Sequence, residues 1–173
     1  GSIGGAAQIV YPSGIAAAET VPASTVTVST APASVRHTSV TNGLYYADGS
    51  LGTLNIPAIN LSVNIYEGTG STAMSKGAGH FEESSIWEGN VALASHNRGS
   101  SSYFSGIHTL SIGDRITLTT KLGSRTYAVT AVSKVSETDR SAFAETAENR
   151  LTLYTCVTDQ PAYRWCVQAV ELV

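Results

Sequence analysis

From Leu51 onward the chain is written in short runs of β-branched, aromatic and aliphatic residues separated by Gly, Asn, Ser and Asp, the pattern of an all-β barrel or sandwich. The runs are LGTLNIPAI (51–59), LSVNIYE (61–67), NVALASH (90–96), DRITLTTKL (114–122), RTYAVTAVSKV (125–135), RLTLYTC (150–156) and RWCVQAVEL (164–172). GLYY (43–46) adds a candidate edge strand. Apolar and polar positions alternate most regularly in RITLTT and TYAVTAV, so each of these strands should turn one face to a core. The Gly-Ser pair of KLGSRTY predicts a hairpin turn between them. STAMSKGAGHF and SSSYFSGIHTLS read as loops or short helical pieces, and ETDRSAFAETAEN as one helix capped by Thr138 or Asp139.

The first forty residues follow a different rule. AAAETVPASTVTVSTAPASVRHTSVTNG is built from Ala, Ser, Thr, Val and Pro with almost no large apolar side chains. Residues 1–40 are therefore expected to be a tether or pro-like arm, with Arg36 and His37 as a solvated pair, and residues 41–173 the folded domain. STVTVST leaves open a path along a sheet edge. Gly1-Ser2 resembles the scar of a removed tag, so a signal or anchor upstream is compatible with the sequence, although none opens the chain as it stands.

Composition narrows the function classes. The 173 residues suit one domain with an appendage, and 42% of them are hydrophobic. A net charge of −3 with only 10 Lys+Arg lacks the cationic excess that a phosphate backbone requires, so no nucleic acid is expected. No stretch approaches the roughly 18 consecutive apolar residues of a membrane span.

The chemistry-bearing residues are few: four histidines, two cysteines, and carboxylates without a Cys/His metal spacing. Zinc is not expected. A thiol nucleophile needs a base or charged partner and a group to hold the oxyanion. Cys156 ends a strand-like run where the loop VTDQPAY begins, whereas Cys166 sits inside the last strand, which favours Cys156 as the reactive thiol.

Four pieces in order carry a resemblance to the sortases, cysteine transpeptidases of Gram-positive cell surfaces: NIPAINLSVNIYEG, GNVALASHN, LTLYTC and RWCVQAVEL. YFSGIHTLSIGDRITL resembles the segment that follows the family's histidine. The resemblance covers about Leu51 to Val173 and implies a closed eight-stranded β-barrel with short helices in its connections and an N-terminal extension. It makes Cys156 the nucleophile, His96, sixty residues earlier, the acid/base, and Arg164, eight residues later, the guanidinium that steadies the scissile carbonyl. Thr155 matches a position whose hydroxyl helps place the substrate. Most relatives carry Gly before the histidine where this chain has Ser95, so either a tighter backbone there or an added hydrogen bond from Ser95 is expected. His80 is the rival histidine near the groove, Cys166 is expected on the groove floor on the face shared with Arg164, and His108 should cap a short helix. Glu82, Glu83 and Glu88 lie where some sortases bind calcium, yet clustered carboxylates are usually a solvated face; no cofactor is required by the chemistry.

The implied substrate is a surface protein with a C-terminal Leu-Pro-x-Thr-Gly-like signal, cleaved after Thr and joined to an amine of peptidoglycan or another protein, at the extracellular face of a Gram-positive membrane to which the parent protein is anchored. The fourteen residues SETDRSAFAETAEN are too few for the helical insertion of class B, and the aspartate-aromatic lid motif of class C is missing from the arm, so the expected subclass is A, D or E, with D favoured by loop lengths. Papain-like and chymotrypsin-like cysteine proteases fail on residue order and on the context of their nucleophile. An all-β binding module stapled by a Cys156–Cys166 disulfide, and a sortase whose arm covers its own groove, both remain open.

Overall fold

A computed structural model describes residues 34–172 apart from positions 98, 100 and 101; the sequence expectations for residues 1–33 lie outside the described residues. The chain divides at 33/34, and the compact unit begins at Ser34. Eight strands close a barrel: β1 (Gly52–Ile56), β2 (Leu61–Glu67), β3 (Ala78–His80), β4 (Asn90–Ala94), β5 (Arg115–Thr120), β6 (Gly123–Ser136), β7 (Arg150–Val157) and β8 (Gln160–Glu171). Around the barrel the order is β1-β2-β3-β4-β7-β8-β6-β5, with β5 returning to β1. Two pairings are parallel, β2 with β3 and β4 with β7. Each of these neighbours is reached by a crossover, because a two-residue turn can join only antiparallel strands.

The period-two pattern sets the inside of the barrel. Leu54 and Ile56 of β1, Val63 and Ile65 of β2, Ile116 and Leu118 of β5, and Leu151, Leu153, Val167 and Ala169 of β7 and β8 converge on one core. Tyr127 is buried among them, and that burial pushes its hydroxyl pKa up to about 12. β4 and the first part of β7 break the alternation, since residues 90–94 and 151–155 are buried on both faces. Their outer faces lie under the connection between β6 and β7. Asn90 Nδ2 donates to the carbonyls of Ala142 and Ala144, and Phe143 packs on Tyr154 at 4.9 Å between ring centroids.

Several local expectations are corrected. The 137–149 connection is a single 3-10 turn, Ser141–Phe143, rather than a helix. Its N-cap is Arg140, without a side-chain cap bond, although Asp139 Oδ1 one residue earlier accepts from Ser141 N at 3.0 Å; the carbonyls a helix would use internally are spent on Asn90 and Gln168. GLYY enters a 3-10 turn, Asn42–Leu44, not a strand. STAMSKGAGHF resolves into a short helix, α1 (Ser71–Lys76), and β3. The β5–β6 hairpin turns on Lys121 and Leu122, with Gly123 already paired to Thr120.

Residues 36–40, read from the sequence as the end of a solvated arm, are strapped to the barrel. Arg36 N donates to Thr146 O at 2.9 Å, Thr38 O accepts from Ile86 N at 2.9 Å, and Thr38 N donates to Ser85 Oγ at 3.0 Å. His37 Nδ1 lies 3.1 Å from Glu145 Oε2, so its partner is that carboxylate and not Arg36. Gly89 permits the approach: it has φ +88°, and a Cβ there would lie 2.2 Å from Arg36 O.

Candidate active site

β7 is buried residue by residue until Cys156, which is exposed, and Val157 is buried again. The thiol surfaces where the cover over β7 ends. Its partner across the ladder is Arg164 of β8, and residues directly opposite on antiparallel strands share a face. Beyond this pair the register slips: Val157 pairs with Gln160 around a turn at Thr158 and Asp159, Asp159 having φ +60°, so residues 161–163 bulge from β8. Arg164 closes that bulge on itself, Nη1 donating to the carbonyls of Pro161 and Tyr163 at 2.8 Å each, while Nη2 stands 3.7 Å from Glu137 Oε2. The guanidinium is thereby fixed by main-chain acceptors on the residue that faces Cys156 across the ladder, and its fork leaves further donors available.

β4 ends at Ala94, so His96 lies beyond the strand in which the sequence placed it. Ser95 N still donates to Tyr154 O at 3.3 Å, and the chain then turns out of the sheet, with Phe104 N donating to His96 O at 2.9 Å. His96, Asn97, Cys156, Val157, Asp159, Gln160, Pro161 and Arg164 line one groove of about 470 Å³. A thiol, an imidazole and a guanidinium thus meet in an open cleft, the set that acyl transfer through sulfur requires.

The other expected site residues lie elsewhere. Thr155 is buried, and its hydroxyl donates to Ser95 O at 2.8 Å, tying β7 to the His96 segment instead of facing the groove. Ser95 is also buried and does add a hydrogen bond, from Oγ to Gly77 O at 2.9 Å. His80 is fully buried and does not line the groove. Its Nδ1 lies 2.5 Å from Glu67 Oε1, and its Nε2 lies 2.7 Å from Ser85 O and 3.0 Å from Ser84 Oγ. The Ser85 carbonyl can only accept, so Nε2 carries hydrogen and has no lone pair with which to take a proton from Ser84. The arrangement mimics a serine triad in outline but functions as a latch for the 81–89 loop.

Cys166 is 3% exposed and not on the groove floor. It packs with Ala94 and Tyr154 beneath Met74, Phe81 and Phe143. Burial pushes its thiol up to about 11. Both cysteines are free. Cys166 faces Tyr154 while Cys156 faces Arg164, so the sulfurs are diagonal neighbours and not a directly opposed pair, and the stapled-module reading loses its staple. Glu82, Glu83 and Glu88 are exposed, and among the described residues no group of three or more His, Cys, Asp or Glu is placed to hold a metal ion. His108 sits in the 3-10 turn Ile107–Thr109 with its ring stacked on Trp165 at 5.0 Å.

Asn97, Asp159 and Gln160 were not singled out from the sequence. Asn97 and Asp159 are polar residues in a bend and a turn and Gln160 opens β8, so none follows a period, and only nearness in sequence to His96 or Cys156 marked them.

The model of the sortase domain matches residues 54–172. The chain belongs to the sortase family. Sortase A of Streptococcus agalactiae is 35% identical over 127 residues, covering 69% of this chain and 51% of that protein. Sortase A of Listeria monocytogenes is 31% identical, covering 72% and 57%, and Sortase D of Bacillus subtilis is 31% identical, covering 61% and 53%. This sortase chain therefore spans between half and three fifths of the length of these curated relatives. Among solved structures, Streptococcus agalactiae sortase C1 aligns with TM-score 0.67 at 27% identity over 72% of this chain and 68% of that one. A lid mutant of that sortase aligns with TM-score 0.69 at 21% identity over 75% and 72%.

These structures overturn the expectation that class C is excluded. Solved sortase C structures align over about three quarters of this chain, so the barrel itself does not exclude class C. The missing lid motif rests on the sequence of residues 1–40 alone, most of which lie outside the described residues.

Proposed function

We propose that this sortase is a cysteine transpeptidase that cleaves a Leu-Pro-x-Thr-Gly-like peptide after Thr through a thioester on Cys156. The observation that carries the reading is the exposed Cys156 opposite Arg164 in a groove lined by His96. Cys156 sulfur, as thiolate, attacks the Thr carbonyl carbon, and the C–N bond to Gly breaks as the tetrahedral oxyanion collapses. Arg164 N–H groups offset the oxyanion charge without a proton transfer, since guanidinium stays protonated. His96 gives a proton to the departing Gly amine, then takes one from the incoming amine as that nitrogen attacks the thioester and releases the thiolate. An imidazole nitrogen can give a proton in one half-reaction and take one in the other. The acceptor is an amine of peptidoglycan or of another protein, at the surface of a Gram-positive cell.

The test is mass spectrometry of the purified chain with a Leu-Pro-x-Thr-Gly peptide and an amine. An acyl adduct on Cys156 and a ligated product are expected. Cys156→Ala and Arg164→Ala should each abolish turnover with the thermal transition retained, and His96→Ala should remove most of it. An adduct on Cys166, or full turnover without Cys156, would overturn the reading.

A further inference from the structure

β4 and β7 run side by side in parallel, and their ladder stops one rung short of Cys156. Ser95 N donates to Tyr154 O, so the next rung of a regular parallel ladder would run from the amide of residue 97 to the carbonyl of Cys156. That carbonyl is taken at 2.7 Å by the side-chain Nδ2 of Asn97. The same nitrogen lies 3.3 Å from Thr158 Oγ1, across the β7–β8 turn. A side-chain amide standing in for a backbone donor lets residues 95–97 step away from the sheet, which turns His96 toward the groove. It does so while pinning the main chain of Cys156.

We propose that Asn97 is a positioning residue that fixes the His96 segment to the Cys156 backbone and so sets the placement of imidazole against thiol; this rests on the transpeptidase reading of the same groove. The role is specific to a carboxamide of this length. Asp is isosteric but has no N–H to offer a carbonyl, Ala has nothing, and Gln keeps the donors on a longer stem. A misplacement of about 1 Å between reacting groups can cost on the order of 100-fold in rate.

The experiment compares wild type with Asn97→Ala, Asn97→Asp and Asn97→Gln in two assays. In peptide cleavage, Asn97→Ala and Asn97→Asp should lower kcat about 10- to 100-fold with KM changed less than about 2-fold, and Asn97→Gln should recover part of the loss. In alkylation of Cys156 by iodoacetamide, which needs no turnover, the pH profile of Asn97→Ala should depart from wild type in the same direction as that of His96→Ala. A raised KM with unchanged kcat makes Asn97 a substrate contact and overturns the proposal. So does full activity of Asn97→Asp, a lowered thermal transition at unchanged kcat, or a His96→Ala alkylation profile that coincides with wild type. Should wild type cleave no peptide, the transpeptidase reading fails by itself, and the alkylation profiles alone decide for or against Asn97.

Discussion

Two thiols ten residues apart have opposite environments, and the difference is one of cover. Cys156 emerges past the end of the 137–149 connection, whereas Cys166 lies under Phe81 and Phe143 with Tyr154 beside it. Removing Cys166 from water disfavours its thiolate, raising the thiol from 9.0 to about 11. The folded state then holds the proton more tightly than the unfolded state. The associated stability is fully present below pH 9 and is lost as pH rises through about 11, at most about 3 kcal/mol by the linkage relation. Urea unfolding followed across that window should show the decline, and Cys166→Ala should flatten part of it at some cost in packing. At neutral pH without denaturant, one thiol should label quickly and the second only on unfolding. Sequence position set one cysteine at a strand end and the other inside a strand, and in the structure the first is exposed and the second buried. It misjudged Cys166 as groove floor, because facing the same way as Arg164 does not make a side chain exposed when another segment lies over it.

Among the elements, the 36–40 strap joins the two loops beside β4. It bonds to residues 85–88 on one side and Thr146 on the other. Four hydrogen bonds, Arg36 N to Thr146 O, Ile86 N to Thr38 O, Thr38 N to Ser85 Oγ and Glu88 N to Thr38 Oγ1, make the connection. At about 0.5–1.5 kcal/mol each they are worth roughly 2–6 kcal/mol, before the burial of Val40 against the core. A chain starting at Asn42 should therefore unfold several degrees lower than one starting at Ser34, by calorimetry. Equal transitions would mean the strap contributes nothing. Equal peptide cleavage by the full chain and the Ser34 start would count against residues 1–33 acting as a lid. The strap was hidden in a low-complexity composition, since Ala, Ser and Thr carry no period that could betray a backbone path. Strands β1, β2 and β5 were legible because one face of each alternates into the core. β3 was not, being three residues long and buried throughout, and the 137–149 turn was not, because its carbonyls are claimed by Asn90 and Gln168 from distant strands.

At the scale of the whole molecule, the described residues form one closed sheet around one main core, and none of their helices is long and apolar enough to cross a membrane. The groove stands where β4, β7 and β8 end together, so nothing in it is supplied by a single local segment. Trp165, half-buried between the core and His108, reports on that end of the barrel. In a Trp87→Phe variant, where Trp165 alone emits, fluorescence and the peptide-cleavage rate should therefore fall together across a denaturant series. Activity lost well before the fluorescence change would show the groove opening separately from the barrel.

The position of β8 has a consequence for how such a chain comes into being. Among the described strands it comes last in sequence, yet it lies between β7 and β6 and carries Arg164. Until it docks, Cys156 has no guanidinium opposite it, and β7 presents an unpaired edge to its surroundings. The groove therefore takes its final form only when β8 has threaded between its two neighbours, so the geometry of the cleft is set by the last closure of the barrel rather than by any local folding step.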